Sequence, residues 1–140
     1  MTRASLTTIL CLAACLPGCG GQSPVLPPPP PHGGTAFPLP EGKGFVEVLR
    51  QDAPDQAGRT QLVIYFIDPE SKPFGSPPTA ASFLPRGRKA ATIALKPTQD
   101  TDSSKSGGLA SPPIDEPGDI VGTLSATIDS KPVSVAINIR

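Results

Sequence analysis

The chain has no tryptophan, one tyrosine, one histidine and one methionine, and its three cysteines fall at positions 11, 15 and 19. A domain beginning after Cys19 therefore has neither a disulfide nor a thiol nucleophile. One histidine supplies one imidazole ligand, fewer than a copper or zinc site built from soft or nitrogen donors requires. With no acidic neighbour in sequence, it gives no general base either. Net charge is also absent: twelve basic and twelve acidic residues cancel and are interspersed. Phosphate binding needs a basic surface, so nucleic acid is excluded as an expected partner. The densest positive run, Arg86, Arg88 and Lys89, has no aromatic residue interleaved and reads as a solvated loop. Beyond Gly20, no twelve-residue window free of proline and glycine shows an apolar period of 3.6, which excludes long helices. Nucleophile elbows, phosphate loops, zinc helices and Ser-x-x-Lys pairs are missing too. Ser71-Lys72 and Ser104-Lys105 are adjacent pairs in turn-like sequence. The expectation is a protein that is not an enzyme and carries no cofactor.

What the chain does have is twenty prolines and fourteen glycines, the composition of many short elements joined by turns. It opens with one charge, Arg3, then an apolar run from Ala4 to Leu16, then Pro17-Gly18-Cys19. A permanent bilayer span needs about 20 apolar residues, so this run is too short. It has the basic start, apolar middle and small residues of an export signal. Leu12-Ala13-Ala14-Cys15 and Leu16-Pro17-Gly18-Cys19 both resemble the lipobox of bacterial lipoproteins, in which the cysteine receives the lipid. The first matches residue for residue, whereas the second places proline where a small residue is usual. Cutting before Cys15 leaves a short apolar segment, and the stretch after Cys19 turns at once into Gly20-Gly21-Gln22-Ser23. Cys19 is the favoured site and Cys15 the alternative. The resemblance implies a diacylglycerol on the thiol and a further acyl chain on the new amino group. At about 0.8 kcal/mol per buried methylene, several chains hold a protein on a membrane almost permanently.

The expected organisation is a signal peptide over 1–18, a lipidated cysteine and disordered proline-rich tether over 19–40, and one domain over 41–140. Pro27 to Pro31 is unbroken proline, for which polyproline II is the only regular conformation. Extended in that form, residues 20–40 reach up to about 65 Å. Period-two patterning then predicts strands. Phe45–Arg50 has Val46 and Val48 facing inward, and Gln61–Asp68 is apolar on both faces and so central. Shorter strands are expected over Ala80–Leu84 and Ala90–Lys96, the latter with Ala91, Ile93 and Leu95 on one face, and near Leu109. Residues Pro97 to Gly108 read as an exposed loop. Leu124, Ala126 and Ile128 alternate with polar residues, Asp129-Ser130-Lys131 turns, and Val133, Val135, Ile137 and Ile139 alternate again, a hairpin with one apolar face. About seven strands without a crossover helix predict an all-β fold, a small antiparallel β-sandwich of immunoglobulin-like outline.

Pro31-His32-Gly33-Gly34, Gly44-Phe45-Val46-Glu47 and Tyr65-Phe66-Ile67-Asp68 together resemble a group of bacterial envelope lipoproteins with a Pro-His-Gly-Gly start. The likeness covers Pro31 to Arg140. It implies an extracytoplasmic domain held to a bacterial membrane by its N-terminal lipid and contacting another envelope protein, a binding module without catalysis. Some of these relatives occur beside metal-efflux components, which makes a periplasmic metal-handling accessory the alternative. His32 is then the candidate ligand, though this chain lacks the His-x-His clusters of histidine-rich relatives. Read from the residues alone, His32 is structural, with Gly33 and Gly34 letting the chain bend into the sandwich. Asp115, Glu116 and Asp119 could chelate a hard cation. Their spacing matches no calcium loop, and Asp beside Pro-Gly is ordinary turn chemistry, as it is for Asp68 and Glu70.

Overall fold

The computed structural model describes residues 29–75, 78–87, 91–98, 107–115 and 118–140. Cys15, Cys19, the signal segment and the tether through Pro28 lie outside these residues, as do Arg88, Lys89, Ser104, Lys105 and Glu116. Among the described residues, no helix is long and apolar enough to cross a membrane.

The fold is all-β. Nine strands occur among the described residues: β1 (Thr35–Pro38), β2 (Phe45–Asp52), β3 (Thr60–Ile67), β4 (Thr79–Pro85), β5 (Ile93–Ala94), β6 (Lys96–Pro97), β7 (Leu109–Ala110), β8 (Ile120–Ile128) and β9 (Lys131–Ile139). A single 3-10 turn, Pro40–Gly42, links β1 to β2. All pairings are antiparallel. One sheet runs β1-β2-β3-β7-β6 and the other β5-β4-β8-β9.

The two sheets face each other across one apolar core. Val46 and Val48 on β2 and Leu62, Ile64 and Phe66 on β3 meet Phe83 on β4, Leu124, Ala126 and Ile128 on β8, and Val135, Ile137 and Ile139 on β9. Each such side chain contributes roughly 1.5–3 kcal/mol when fully buried. Val46 and Val48 point inward as the alternation requires, because the side-chain period of a strand is two. At the hairpin tip, Asp129 and Ser130 have φ of 49° and 62°, the doubly positive backbone of a tight two-residue turn. Lys131 therefore already pairs with Ile128 and starts the strand instead of completing the turn. Pro132 is tolerated because β9 is an edge.

Three features depart from the sequence reading. The ordered chain starts before Glu41: Thr35–Pro38 pairs with Phe45–Val48 of β2, and Phe37 packs against the core. Its proline is accommodated because β1 too is an edge strand. The stretch Ala90–Lys96 is two short strands in different sheets. Leu95 is the corner between them, buried and donating its N–H to the Ala81 carbonyl at 3.0 Å, a device by which chains change sheets. Ala91 is exposed, so the apolar row expected there reduces to half-buried Ile93 and buried Leu95. The segment Pro97 to Gly108 is likewise not loop throughout. Pro97 belongs to β6, and Thr98 donates its N–H to the Gly108 carbonyl at 2.9 Å.

The β3 run is buried on both faces, as its continuous apolar sequence requires. Opposite the main core, Phe45, Val63, Tyr65 and Ile67 form a second buried apolar group on the outer face of the first sheet. One charged residue, Glu47, lies among them.

Candidate site: a histidine–glutamate clasp on the first sheet

Glu47 and Tyr65 are register partners on β2 and β3, so their side chains leave the sheet together on its outer face. Over them lies the chain that precedes β1. Gly33, at φ +80°, donates its N–H to the Pro30 carbonyl at 3.2 Å and turns the arm. Gly34 then passes so close to β2 that an added Cβ would lie 2.6 Å from the Val48 carbonyl oxygen and 2.8 Å from Leu49 Cδ1. Glycine alone permits that approach. Both glycines serve the bend read from the sequence, and the bend sets the imidazole of His32 flat on the Tyr65 ring. Their centroids are 3.9 Å apart and their planes 13° from parallel.

Three donors then converge on one carboxylate. Glu47 Oε1 accepts the backbone N–H of His32 at 2.9 Å and of Gly34 at 2.8 Å. Its Oε2 lies 2.7 Å from His32 Nδ1. A carboxylate only accepts, so the ring donates through Nδ1. The Glu47 side chain is 0% exposed and that of His32 13%. Burying a carboxylate is costly unless it is paired and hydrogen-bonded, and here both oxygens are engaged.

The sequence reading of His32 as a histidine without an acidic partner is thus corrected. Glu47 is fifteen positions away in the chain, and the β1–β2 pairing brings it back beneath the arm. Glu47 itself was missed as a site residue. Its signal was available: a charge between Val46 and Val48 in the apolar first half of β2, Phe45 to Leu49, where a charge survives burial only with a partner.

An imidazole–carboxylate pair can orient a ring for proton transfer. This pair instead spends its carboxylate on the backbone of the arm that carries the histidine, which makes it a fastening. As a metal ligand His32 would bring one nitrogen. Among the described residues, no group of three or more His, Cys, Asp or Glu side chains is placed to hold a metal ion.

The remaining acidic candidates separate. Asp115 is taken by Arg59, with Nε to Oδ1 at 2.5 Å and Nη2 to Oδ2 at 2.6 Å, a bidentate geometry. That hydrogen bond holds the Asp115 carboxyl below its ordinary range and raises the Arg59 guanidinium. Asp119 is exposed and is not part of the ion pair. Asp68 caps a turn, its Oδ1 accepting the N–H of Glu70 at 3.0 Å and of Lys72 at 2.8 Å. Arg86 is exposed at the end of β4.

Two cavities flank these groups. One of about 290 Å3 lies beside the clasp, lined by His32, Tyr65, Ile67 and Phe74. A larger one of about 840 Å3 opens between the sheets near Phe83, Ile114 and Ile120, with Arg59, Asp115, Arg86 and Asp119 around it. Compared with family models, curated proteins and solved structures, the chain matches none of them.

Proposed function

We propose that this chain is a non-catalytic lipoprotein of a bacterial cell envelope, a β-sandwich binding module joined to the membrane through a lipid on Cys19, with Cys15 the alternative. The observation that carries the reading is the clasp. The residues directly after the proline run are pinned to the first sheet by a buried carboxylate with three donors. A domain on a leash needs a firm junction where leash meets fold, because pulling or thermal motion of a long tether otherwise peels the terminal strand. Here the junction joins the tether to β2, a strand with a neighbour on each side, instead of leaving the load on the four residues of β1. The sole imidazole of the chain is committed to that junction, which favours a mechanical role for it over a chemical one.

The test is the full chain with Cys15→Ser and Cys19→Ser together, expressed in a bacterium with an intact export and lipidation pathway. The unaltered chain should incorporate labelled fatty acid and follow the membrane fraction, and the double variant should do neither. Mass analysis of the mature N-terminus then separates Cys19 from Cys15. If the double variant stays in the membrane fraction as firmly as the parent, lipid anchoring is wrong.

A further inference from the structure

We propose that the cavity between the two sheets binds a single-chain amphiphile with a zwitterionic head. It has an apolar floor and a charged rim. Phe83, Ile114 and Ile120, all core residues, face an opening of about 840 Å3. Core side chains that border a void lose the dispersion contacts that fill a packed interior. A volume of this size lies within the range of small-molecule sites, about 300–1,000 Å3. An apolar body entering here packs against these side chains and against Ile93 and Val121, which also line the cavity.

The rim selects the head. Of the four charges that its described residues bring, Arg59 and Asp115 neutralise each other through their bidentate pair. Arg86 and Asp119 remain, and among the described residues neither forms an ion pair. They stand at one mouth because the Arg86 N–H bonds the Val121 carbonyl at 2.7 Å, which ties the end of β4 to the start of β8, two residues beyond Asp119. A head with both signs can meet each in complementary fashion, whereas a purely anionic or cationic head meets one like charge. The single-chain zwitterionic phospholipids have this chemistry, an acyl body with a phosphate and an ammonium at one end.

The assay uses the full chain with Cys15→Ser and Cys19→Ser, so that no lipid of its own competes, and it reads the cavity whether or not the parent chain is lipidated. Dodecanoyl lysophosphatidylethanolamine, dodecanoate and dodecylammonium are each titrated below their micelle concentrations, by calorimetry and by amide chemical shifts. The zwitterion should bind about tenfold more tightly than either singly charged ligand, with shifts at Phe83, Ile114 and Ile120. Arg86→Gln should move the preference toward the ammonium and Asp119→Asn toward the carboxylate. Both residues are exposed, so the fold is retained, and the ligand comparison on the parent needs neither variant. Absence of saturable binding by all three ligands overturns the proposal. So does equal affinity for the three heads, or shifts confined to residues away from this cavity.

Discussion

Replacing Glu47 by alanine removes the acceptor on which the arm depends and takes one hydrogen bond from each of three donors: the N–H of His32, the N–H of Gly34 and the His32 ring. Each buried donor left without a partner costs about 1–3 kcal/mol. Their sum is a ceiling, because water can enter the space the side chain vacates and the arm can lift locally. Hydrogen bonds to a charged acceptor are worth about 1.5–3 kcal/mol each, so with that relief about 3–5 kcal/mol is the expected loss for Glu47→Ala. Against a total stability of about 5–15 kcal/mol, it is a large share, and it corresponds to a fall in Tm of roughly 10–20 °C for a domain of this size. Glu47→Gln separates geometry from charge. The amide oxygen can still accept both backbone N–H groups, and the ring nitrogen facing the amide can become an acceptor by tautomer exchange, so about 1–2 kcal/mol should be lost. Urea unfolding of the full chain, followed by far-ultraviolet circular dichroism, gives the ranking. The ring protons of His32, shifted by the Tyr65 ring beneath them, report whether the arm remains docked. The reasoning fails if Glu47→Ala unfolds within about 0.5 kcal/mol of the parent, or if the glutamine variant loses as much as the alanine variant.

Three further outcomes follow from the same geometry. Gly34→Ala should displace the arm and destabilise the chain, because the new methyl meets the Val48 carbonyl and Leu49, whereas Gly87→Ala, with nothing within 4 Å of its Cβ, should be near neutral in the same unfolding assay. The Asp115 carboxyl is held below its ordinary value by Arg59, so its contribution is present above about pH 4 and lost as pH falls through the lowered value. Asp115→Asn should therefore lower stability slightly in the neutral region, leave it unchanged below the lowered value, and so flatten the acid limb of stability against pH. Leu62→Ala, which empties a fully buried position, should cost about 2–5 kcal/mol and lower the urea midpoint at unchanged slope.

The strands that carry the core were legible because one physical rule governs them. Val46 and Val48, and the alternating residues of β8 and β9, follow a period of two, and β3 is apolar on both faces. Burial strong enough to override local preference writes itself into such patterns. The clasp was not legible, because its parts come from different elements and are joined only by register: His32 precedes the first strand, Glu47 is on β2 and Tyr65 on β3. Sequence shows a charge inside an apolar run, but not which donors return to it. β1 was hidden for a related reason. Proline and glycine around Thr35–Pro38 read as spacer, yet an edge strand leaves half its backbone unpaired and so accommodates them. The sheet change at Leu95 was equally silent, since one apolar row can serve two sheets when the corner is a single residue.

The two outer faces of the sandwich explain why the clasp is where it is. On the second sheet Thr123, Ser125 and Thr127 of β8 and Ser134, Ala136 and Asn138 of β9 point away from the core. Apart from Leu84 and Val121 that face is polar, and it meets water at little cost. On the first sheet Phe45, Val63, Tyr65 and Ile67 point outward and are nevertheless buried, so something must cover them. A helix would do so in a larger α/β protein; this chain has no such helix among its described residues and lays its own arm, Pro29–Gly34, across part of that face. An arm of proline and glycine brings little apolar area and cannot hold itself there by burial alone. A directional fastening is then required, and a carboxylate buried under the arm supplies it by gathering two backbone donors and one ring donor at a single point.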